Sequence, residues 1–249
     1  MSGSAATAPT GPKVKYLDLV RSESKRIGIE FEAGLGFIKA ESGGNTICPN
    51  GKMLVRFEPH VFINHGIKGN RGKGYGLKGK ESQVPWYGCK GTRCSQWLNL
   101  GYTHVSNCNG NWETEVVKNI GGAAKVAQDL GLDPDLPYVA ASFGTGQVMG
   151  FNHRHMGYTS AKAMFDDWST NEVAQVKGIF SYFEKKPGML EAVKAKDWDK
   201  MARLYNGCGD NCTSADGTKG YGPKLERAYN LYKSGDLPPN RELGSAGPG

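Results

Sequence analysis

Residues 35–44 read LGFIKAESGG, an apolar stretch that ends in an acid and opens into a glycine pair. Apolar residues before it recur at helical spacing, which predicts a helix over residues 17–40. On that helix Phe37 and Ile38 lie four and three positions before Glu41 and share its face. Desolvation penalises a charged carboxylate, so Glu41 is a candidate general acid. The alternative is a solvated carboxylate at a helix C-terminus.

Further helices are predicted in the second half of the chain. One is capped by Asn111 and ended by Gly131, and a second opens on the capping-box pattern of residues 169–172. Asp197 is the predicted cap of a third helix, and Pro223 suits the first turn of the last one. Most of the apolar positions on these helices are expected to be core residues without a chemical role.

Residues 53–58 predict a short strand or hairpin arm, and residues 64–110 form a long irregular segment. That segment holds three of the six cysteines, which stand at positions 48, 89, 94, 108, 208 and 212. An even number of cysteines without paired Cys-x2-Cys spacing favours disulfides and an oxidising compartment. The open alternative is a zinc site on Cys89, Cys94, His104 and Cys108.

Composition and charge limit the possible function classes. The chain has 249 residues, and Pro/Gly/Ser-rich segments predict flexible tails at 1–15 and 236–249 around one domain at 16–235. No apolar run reaches the roughly 18 residues of a membrane span, and no secretory signal is expected. The net charge of +7 suits an anionic envelope. We interpret the basic residues 68–80 as a solvated loop and expect no nucleic-acid partner.

Four separated segments carry a family resemblance. They are ESGG at 41–44, RFEPHVF at 56–62, SFGTGQVMGFN at 142–152 and ARLYNG at 202–207. Taken in order, they resemble the N-acetylmuramidase domain of phage endolysins and bacterial wall hydrolases, over roughly residues 25–233. The resemblance implies a mainly α (α+β), lysozyme-like fold with a small β-hairpin region and a long Cys-containing loop insertion. It also implies hydrolysis of the β-1,4 bond between N-acetylmuramic acid and N-acetylglucosamine, without a cofactor.

The same resemblance implies roles for two acids. Glu41 matches the family's acid at the end of the first long helix and would protonate the departing glycosidic oxygen. Many family members carry an aspartate in the turn where this chain has Asn50, so Glu58 is the remaining candidate for the second group. The alternative for Glu58 is a buried ion pair with Arg56 or His60. Glu32 would qualify only if glycines 34 and 36 broke the helix.

Five further residues are candidate substrate contacts. The amides of Gln147, Asn152 and Asn206 can bond to sugar hydroxyls and acetamido groups, while Phe151 and Tyr205 offer flat faces to pyranose rings. Core packing of Phe151 and backbone bracing by Gln147 and Asn206 are the alternatives.

The resulting prediction is a peptidoglycan hydrolase that acts as a phage lysis protein or an antibacterial effector, secreted or delivered to the bacterial periplasm or cell wall. Its partners are peptidoglycan glycan strands, and an immunity protein or an upstream domain of a larger effector stays open. Three other functions remain possible: a lytic transglycosylase, a non-catalytic wall-binding module and a zinc-dependent hydrolase.

Overall fold

A computed structural model describes residues 14–42, 47–48, 50–69, 74–91, 94–206 and 220–243. The helices within these ranges are α1 (Tyr16–Ile27), α2 (Phe31–Ser42), α3 (Pro59–Lys68), α4 (Ser95–Asn99), α5 (Gly121–Asp129), α6 (Leu136–Val139), α7 (Ala161–Thr170), α8 (Glu172–Lys185), α9 (Met189–Ala195), α10 (Trp198–Asn206) and α11 (Tyr221–Lys233). A π-helix spans Trp112–Ile120 and runs directly into α5. None of these helices is long and apolar enough to cross a bilayer. The predicted mainly helical fold is confirmed.

The helix predicted over residues 17–40 is two helices, α1 and α2. Gly28 adopts a left-handed conformation with φ of 71°, and its N–H bonds to the carbonyl oxygens of Ser24 and Lys25. This is a glycine C-cap, which ends α1 because residues with a Cβ rarely adopt such a φ. The prediction of one continuous helix was therefore wrong.

The glycines inside α2 do not break it. At Gly36 the helix crosses α11 so closely that an added Cβ would lie 2.9 Å from the backbone nitrogen of Tyr229. Glycine costs about 1 kcal/mol of helix propensity here, and the close packing of two helix backbones compensates for it. The buried side of α2 carries Leu35, Phe37 and Ile38, which place this helix inside the core.

Two of the predicted helix starts differ in the structure. Asn111 has helical backbone angles and makes no side-chain cap, because its amide bonds instead to the backbone nitrogen and oxygen of Val55. The capping box at 169–172 is also wrong, since α7 continues to Thr170 and Asn171 is the cap of α8 through the nitrogen of Ala174.

The last two helix starts agree with prediction. The carboxylate of Asp197 accepts a hydrogen bond from the backbone nitrogen of Lys200, which caps α10. Pro223 lies in the first turn of α11.

A three-stranded antiparallel sheet in the order β1-β2-β3 consists of β1 (Val55–Phe57), β2 (Ala141–Phe143) and β3 (Val148–Met149). The predicted arm at 53–58 contains β1, but the hairpin itself is β2–β3, nearly ninety residues later. The pairing of Arg56 with Ser142 and of Ser142 with Met149 places these three residues in one row across the sheet.

The long irregular segment is folded back onto β1 and α3. Trp86 and Trp97 are fully buried, and their rings pack against Phe57, which also contacts Phe62. This segment is therefore part of the core despite its lack of periodicity.

Two disulfides, Cys48–Cys108 and Cys89–Cys94, confirm the disulfide prediction. They also use the three cysteines of the alternative zinc set. The described ranges hold no group of three or more His, Cys, Asp or Glu side chains able to bind a metal. Cysteines 208 and 212 lie outside the described residues.

The two ends of the described chain are tied together. Lys15 and Glu242 form an antiparallel bridge, and Tyr16 donates its backbone N–H to Arg241, whose guanidinium also pairs with Glu172 at 2.6 Å. Contacts of the folded part therefore extend past residue 236, the position from which composition predicted a flexible tail. Long-range pairing of this kind leaves no local signal in the sequence.

Candidate active site

A cavity of about 350 Å³ opens between the end of α2, the end of α10 and one face of the sheet. Five of the seven residues predicted as site residues line it, namely Glu41, Glu58, Gln147, Tyr205 and Asn206. The remaining lining consists of Leu54, Val55, Arg56, Ser106, Ser142 and Met149. Segments that are distant in sequence thus meet at one site.

Glu41 lies in the last turn of α2. The helix runs from the core to the cavity and so positions the Glu41 carboxyl group in the cavity wall. Phe37, one turn earlier, is buried and packs edge-on against the rings of Phe183 and Tyr205. The Oε1 atom of Glu41 is buried and has no hydrogen-bond partner among the described residues. Burial raises the pKa of Glu41 to about 8, and the nearby charge of Lys224 only partly opposes that shift.

Tyr205 and Asn206 form the end of α10 at the cavity. The Tyr205 ring packs between the rings of Phe37 and Tyr182. Its hydroxyl donates a hydrogen bond to the backbone oxygen of Gly146. Asn206 is exposed at the cavity edge. Residue 207, which completes the sequence motif, lies outside the described residues.

Glu58 follows β1 and precedes the first turn of α3. Its carboxylate pairs with the Nε atom of Arg56 at 3.1 Å and lies 3.6 Å from Nδ1 of His60. The alternating geometry of a strand explains the first contact, because residues two apart point to the same face. The ion pair expected as the alternative role of Glu58 is therefore present, and it lies at the cavity.

Gln147 occupies the β2–β3 turn with a φ of 47°, a left-handed conformation that is uncommon for a residue with a side chain. Its Nε2 donates to the carbonyl oxygens of Leu54 and Gly144 at 3.2 and 3.1 Å. Its Oε1 accepts a long contact of 3.4 Å from the hydroxyl of Ser142. The amide nitrogen thus braces the turn, while the side chain still lines the cavity.

Phe151 and Asn152 do not line this cavity. Phe151 stacks on the ring of His65 with centroids 4.7 Å apart, and Asn152 is buried in the 3-10 turn that follows β3. Glu32 and Asn50 do not line it either. Because α2 is unbroken from residue 31 to 42, Glu32 lies two and a half turns before Glu41.

Sequence reasoning missed several lining residues. Arg56, Ser142 and Met149 form one row across the sheet face, and this row depends on the register between strands that are distant in the sequence. Ser106 lies in the irregular segment, and no sequence pattern pointed to it.

A buried carboxylate, Glu115 of the π-helix, holds this wall in place. It accepts hydrogen bonds from the backbone nitrogens of Phe57 and Val105, and from the side chain of Asn119, at 2.9, 3.0 and 3.0 Å. Its Oε1 also lies 3.0 Å from Nδ1 of His104. Two of its partners directly precede the lining residues Glu58 and Ser106, so Glu115 fixes the spacing between β1 and the irregular segment.

The two carboxyl groups in the cavity have different environments. Glu41 is desolvated and carries a raised pKa, whereas Glu58 faces a guanidinium. The cavity thus combines one desolvated carboxyl group with one ion-paired carboxyl group, and most glycoside hydrolases use a pair of carboxyl groups.

Comparison with known proteins identifies the family and a structure of similar fold. A family model described as N-acetylmuramidase matches residues 30–233. The crystal structure of the Burkholderia AP3 phage endolysin superposes with a TM-score of 0.62 at 22% identity, over 92% of this chain and 74% of the endolysin chain. Among curated proteins the comparison found no match. The family match covers most of the folded part, and the chain therefore belongs to the N-acetylmuramidase family of peptidoglycan-cleaving glycoside hydrolases.

Proposed function

We propose that the enzyme cleaves the β-1,4 bond between N-acetylmuramic acid and N-acetylglucosamine, with Glu41 as the general acid. One observation carries this proposal: the buried Oε1 of Glu41 has no hydrogen-bond partner in the described residues, and the pKa of this cavity-lining carboxyl is about 8. At neutral pH such a group holds the proton that the departing glycosidic oxygen needs.

Glu58 is the second catalytic group in this proposal. Its carboxylate is paired with Arg56 and lines the same cavity. A negative charge there would stabilise the oxocarbenium-like transition state or orient the attacking water. Gln147, Tyr205 and Asn206 are the proposed substrate contacts, because they share the cavity with both acids.

A lytic transglycosylase is the second candidate, and one observation favours it. Glu58 is engaged by Arg56 and His60, which leaves Glu41 as the one carboxyl in the described cavity lining without an ion-pair partner. A single acid/base group is sufficient when the muramyl 6-hydroxyl acts as the internal nucleophile.

Product analysis separates the two reactions. Purified peptidoglycan is digested with the parent enzyme and with separate Glu41→Gln and Glu58→Gln variants, reduced with borohydride and analysed by mass spectrometry. Reduced muramic acid ends support the hydrolase, whereas anhydro-muramyl ends indicate the transglycosylase. Reduced glucosamine ends would reject the proposed bond. Undiminished activity of Glu41→Gln would reject the proposed acid.

We further propose that the enzyme acts on the bacterial wall from the periplasmic side, as a phage lysis protein or an antibacterial effector. The disulfides support an oxidising compartment, and the net charge of +7 suits an anionic envelope. Expression in bacteria with and without a fused export leader tests this location. Lysis should require export and an intact Glu41, and equal lysis without export would contradict the proposal.

A further inference from the structure

A second cavity, of about 290 Å³, adjoins the first. Arg56 lines it together with five residues of the irregular segment, which are Leu98, Thr103, His104, Val105 and Ser106. Arg56 and Ser106 also line the cavity that holds Glu41. The two cavities are therefore adjacent at these two side chains.

The two cavities differ in charge. The first contains both carboxyl groups, whereas the described lining of the second contains none. The charged side chain of the second cavity is Arg56, which keeps 43% of its surface exposed although its Nε faces Glu58. Hydroxyl groups from Thr103 and Ser106 and apolar surface from Leu98 and Val105 complete the wall. This combination of side chains suits a ligand with a short segment that carries carboxylate and small apolar groups.

The walls of the second cavity are held in position before any ligand binds. Val105 donates its backbone N–H to Glu115, and its carbonyl oxygen accepts from the amide of Asn111. Leu98 lies on α4, whose cap residue Cys94 is disulfide-bonded to Cys89. Little ordering entropy would then be lost on binding.

Peptidoglycan has the matching charge distribution. Its N-acetylated sugars are neutral where the lactyl carboxyl of muramic acid is amide-bonded to the peptide, and its free carboxylates lie on the peptide stem that muramic acid carries. In the first cavity Arg56 shares the lining with Glu58, which would repel such a carboxylate, whereas the described lining of the second cavity presents Arg56 without a carboxylate. We infer that the second cavity binds the acidic peptide stem of the strand being cleaved, an inference that rests on the proposed function of the first.

The test compares two substrates. One is purified sacculi, and the other is the same sacculi with their peptide carboxylates converted to amides by carbodiimide and ammonium. The half-saturating sacculus concentration is measured from the release of reducing ends. For the parent it should be about three- to fivefold higher on amidated sacculi, since one close charge pair near water contributes on that scale.

Leu98→Glu and Leu100→Glu form the matched pair of variants. Both leucines are similarly exposed, at 46% and 44%, and both changes alter net charge equally, but only Leu98 lines the cavity. For each variant, the half-saturating concentration on untreated sacculi is divided by the value on amidated sacculi. This ratio should be about three- to fivefold higher for Leu98→Glu than for Leu100→Glu. Thr103→Glu, also an exposed lining position, should repeat the effect if Leu98→Glu folds poorly.

Equal substrate ratios for the Leu98, Thr103 and Leu100 variants would overturn the inference, even if all of them cleave sacculi. A parent enzyme that releases no reducing ends from either substrate would instead overturn the proposed function. The two failures are therefore distinguishable.

Discussion

The hydroxyl of Tyr205 donates to the backbone oxygen of Gly146, although Tyr205 and Glu41 line the same cavity. Tyr182, whose own pKa is raised partly by the nearby charge of Glu41, likewise donates its hydroxyl to the carbonyl oxygen of Leu204. Both tyrosines next to the acid thus direct their protons to the backbone. Neither hydroxyl bonds to Glu41, and burial of the Glu41 carboxyl, whose Oε1 has no hydrogen-bond partner among the described residues, raises its pKa to about 8.

The first prediction concerns the pH profile of catalysis. A general acid works only while protonated, so kcat/KM on sacculi should fall with rising pH along a limb centred near the pKa of Glu41, about 8. Tyr205→Phe removes the hydroxyl but should retain the limb, since that hydroxyl donates to the backbone oxygen of Gly146. An alkaline limb below about pH 6 would contradict the assignment.

The second prediction links Glu41 to stability. The folded protein holds the Glu41 proton up to about pH 8, whereas the unfolded chain releases it near pH 4.5. The free energy of unfolding should therefore fall as pH rises between these values. Glu41→Gln, which mimics the protonated form, should be more stable than the parent at pH 9 by at most about 5 kcal/mol, and similar to it at pH 4.

Chemical denaturation at both pH values measures this difference. Glu226→Gln, an exposed position on α11, is the control for removal of one carboxylate and should show no such pH-dependent gain. If Glu41→Gln and Glu226→Gln gain equally at pH 9, the burial of the Glu41 carboxyl would not be the cause.

The third prediction concerns the buried carboxylate that fixes the cavity wall. Glu115→Ala leaves the backbone N–H groups of Phe57 and Val105 without their acceptor, and each lost bond to a buried group costs about 1–3 kcal/mol. We expect a loss of about 3 kcal/mol or more in urea denaturation. Glu113→Ala, at an exposed position of the same π-helix, should cost no more than about 0.5 kcal/mol. Equal losses would show that the network does not hold the wall.

The fourth prediction ranks the two disulfides. Cys48–Cys108 closes a loop with a sequence separation of 60, whereas Cys89–Cys94 has a separation of 5. Loop-closure entropy predicts losses of about 4 and about 2 kcal/mol when each pair is replaced by alanines. Denaturation of the two double variants under oxidising conditions measures both values, and the reverse ranking would contradict this account.

The fifth prediction concerns the surface charge. With a net charge of +7, the enzyme should lose activity on sacculi several-fold between about 50 and about 300 mM NaCl, because salt screens long-range attraction. Sacculi with amidated carboxylates carry less negative charge and should show a weaker salt dependence. A rate that is independent of salt on both substrates would show that the charge does not steer binding.

The sequence alone determined much of the helical framework and singled out Glu41 as the candidate acid. Periodicity and caps located α10 and α11, and the apolar run before Glu41 predicted a carboxyl delivered from the core. These features depend on residues close together in the chain, so a linear pattern records them.

Other features were decided only by tertiary structure. Asn111 bonds across to Val55 instead of capping a helix, Gly36 serves a helix crossing, and Ser106 reaches the cavity because Glu115 holds the preceding backbone. The placement of Phe151 away from the cavity has the same origin, since a ring 86 residues earlier in the chain, that of His65, stacks on it. Each depends on a partner distant in the chain, and hydrophobic periodicity carries no information about such partners.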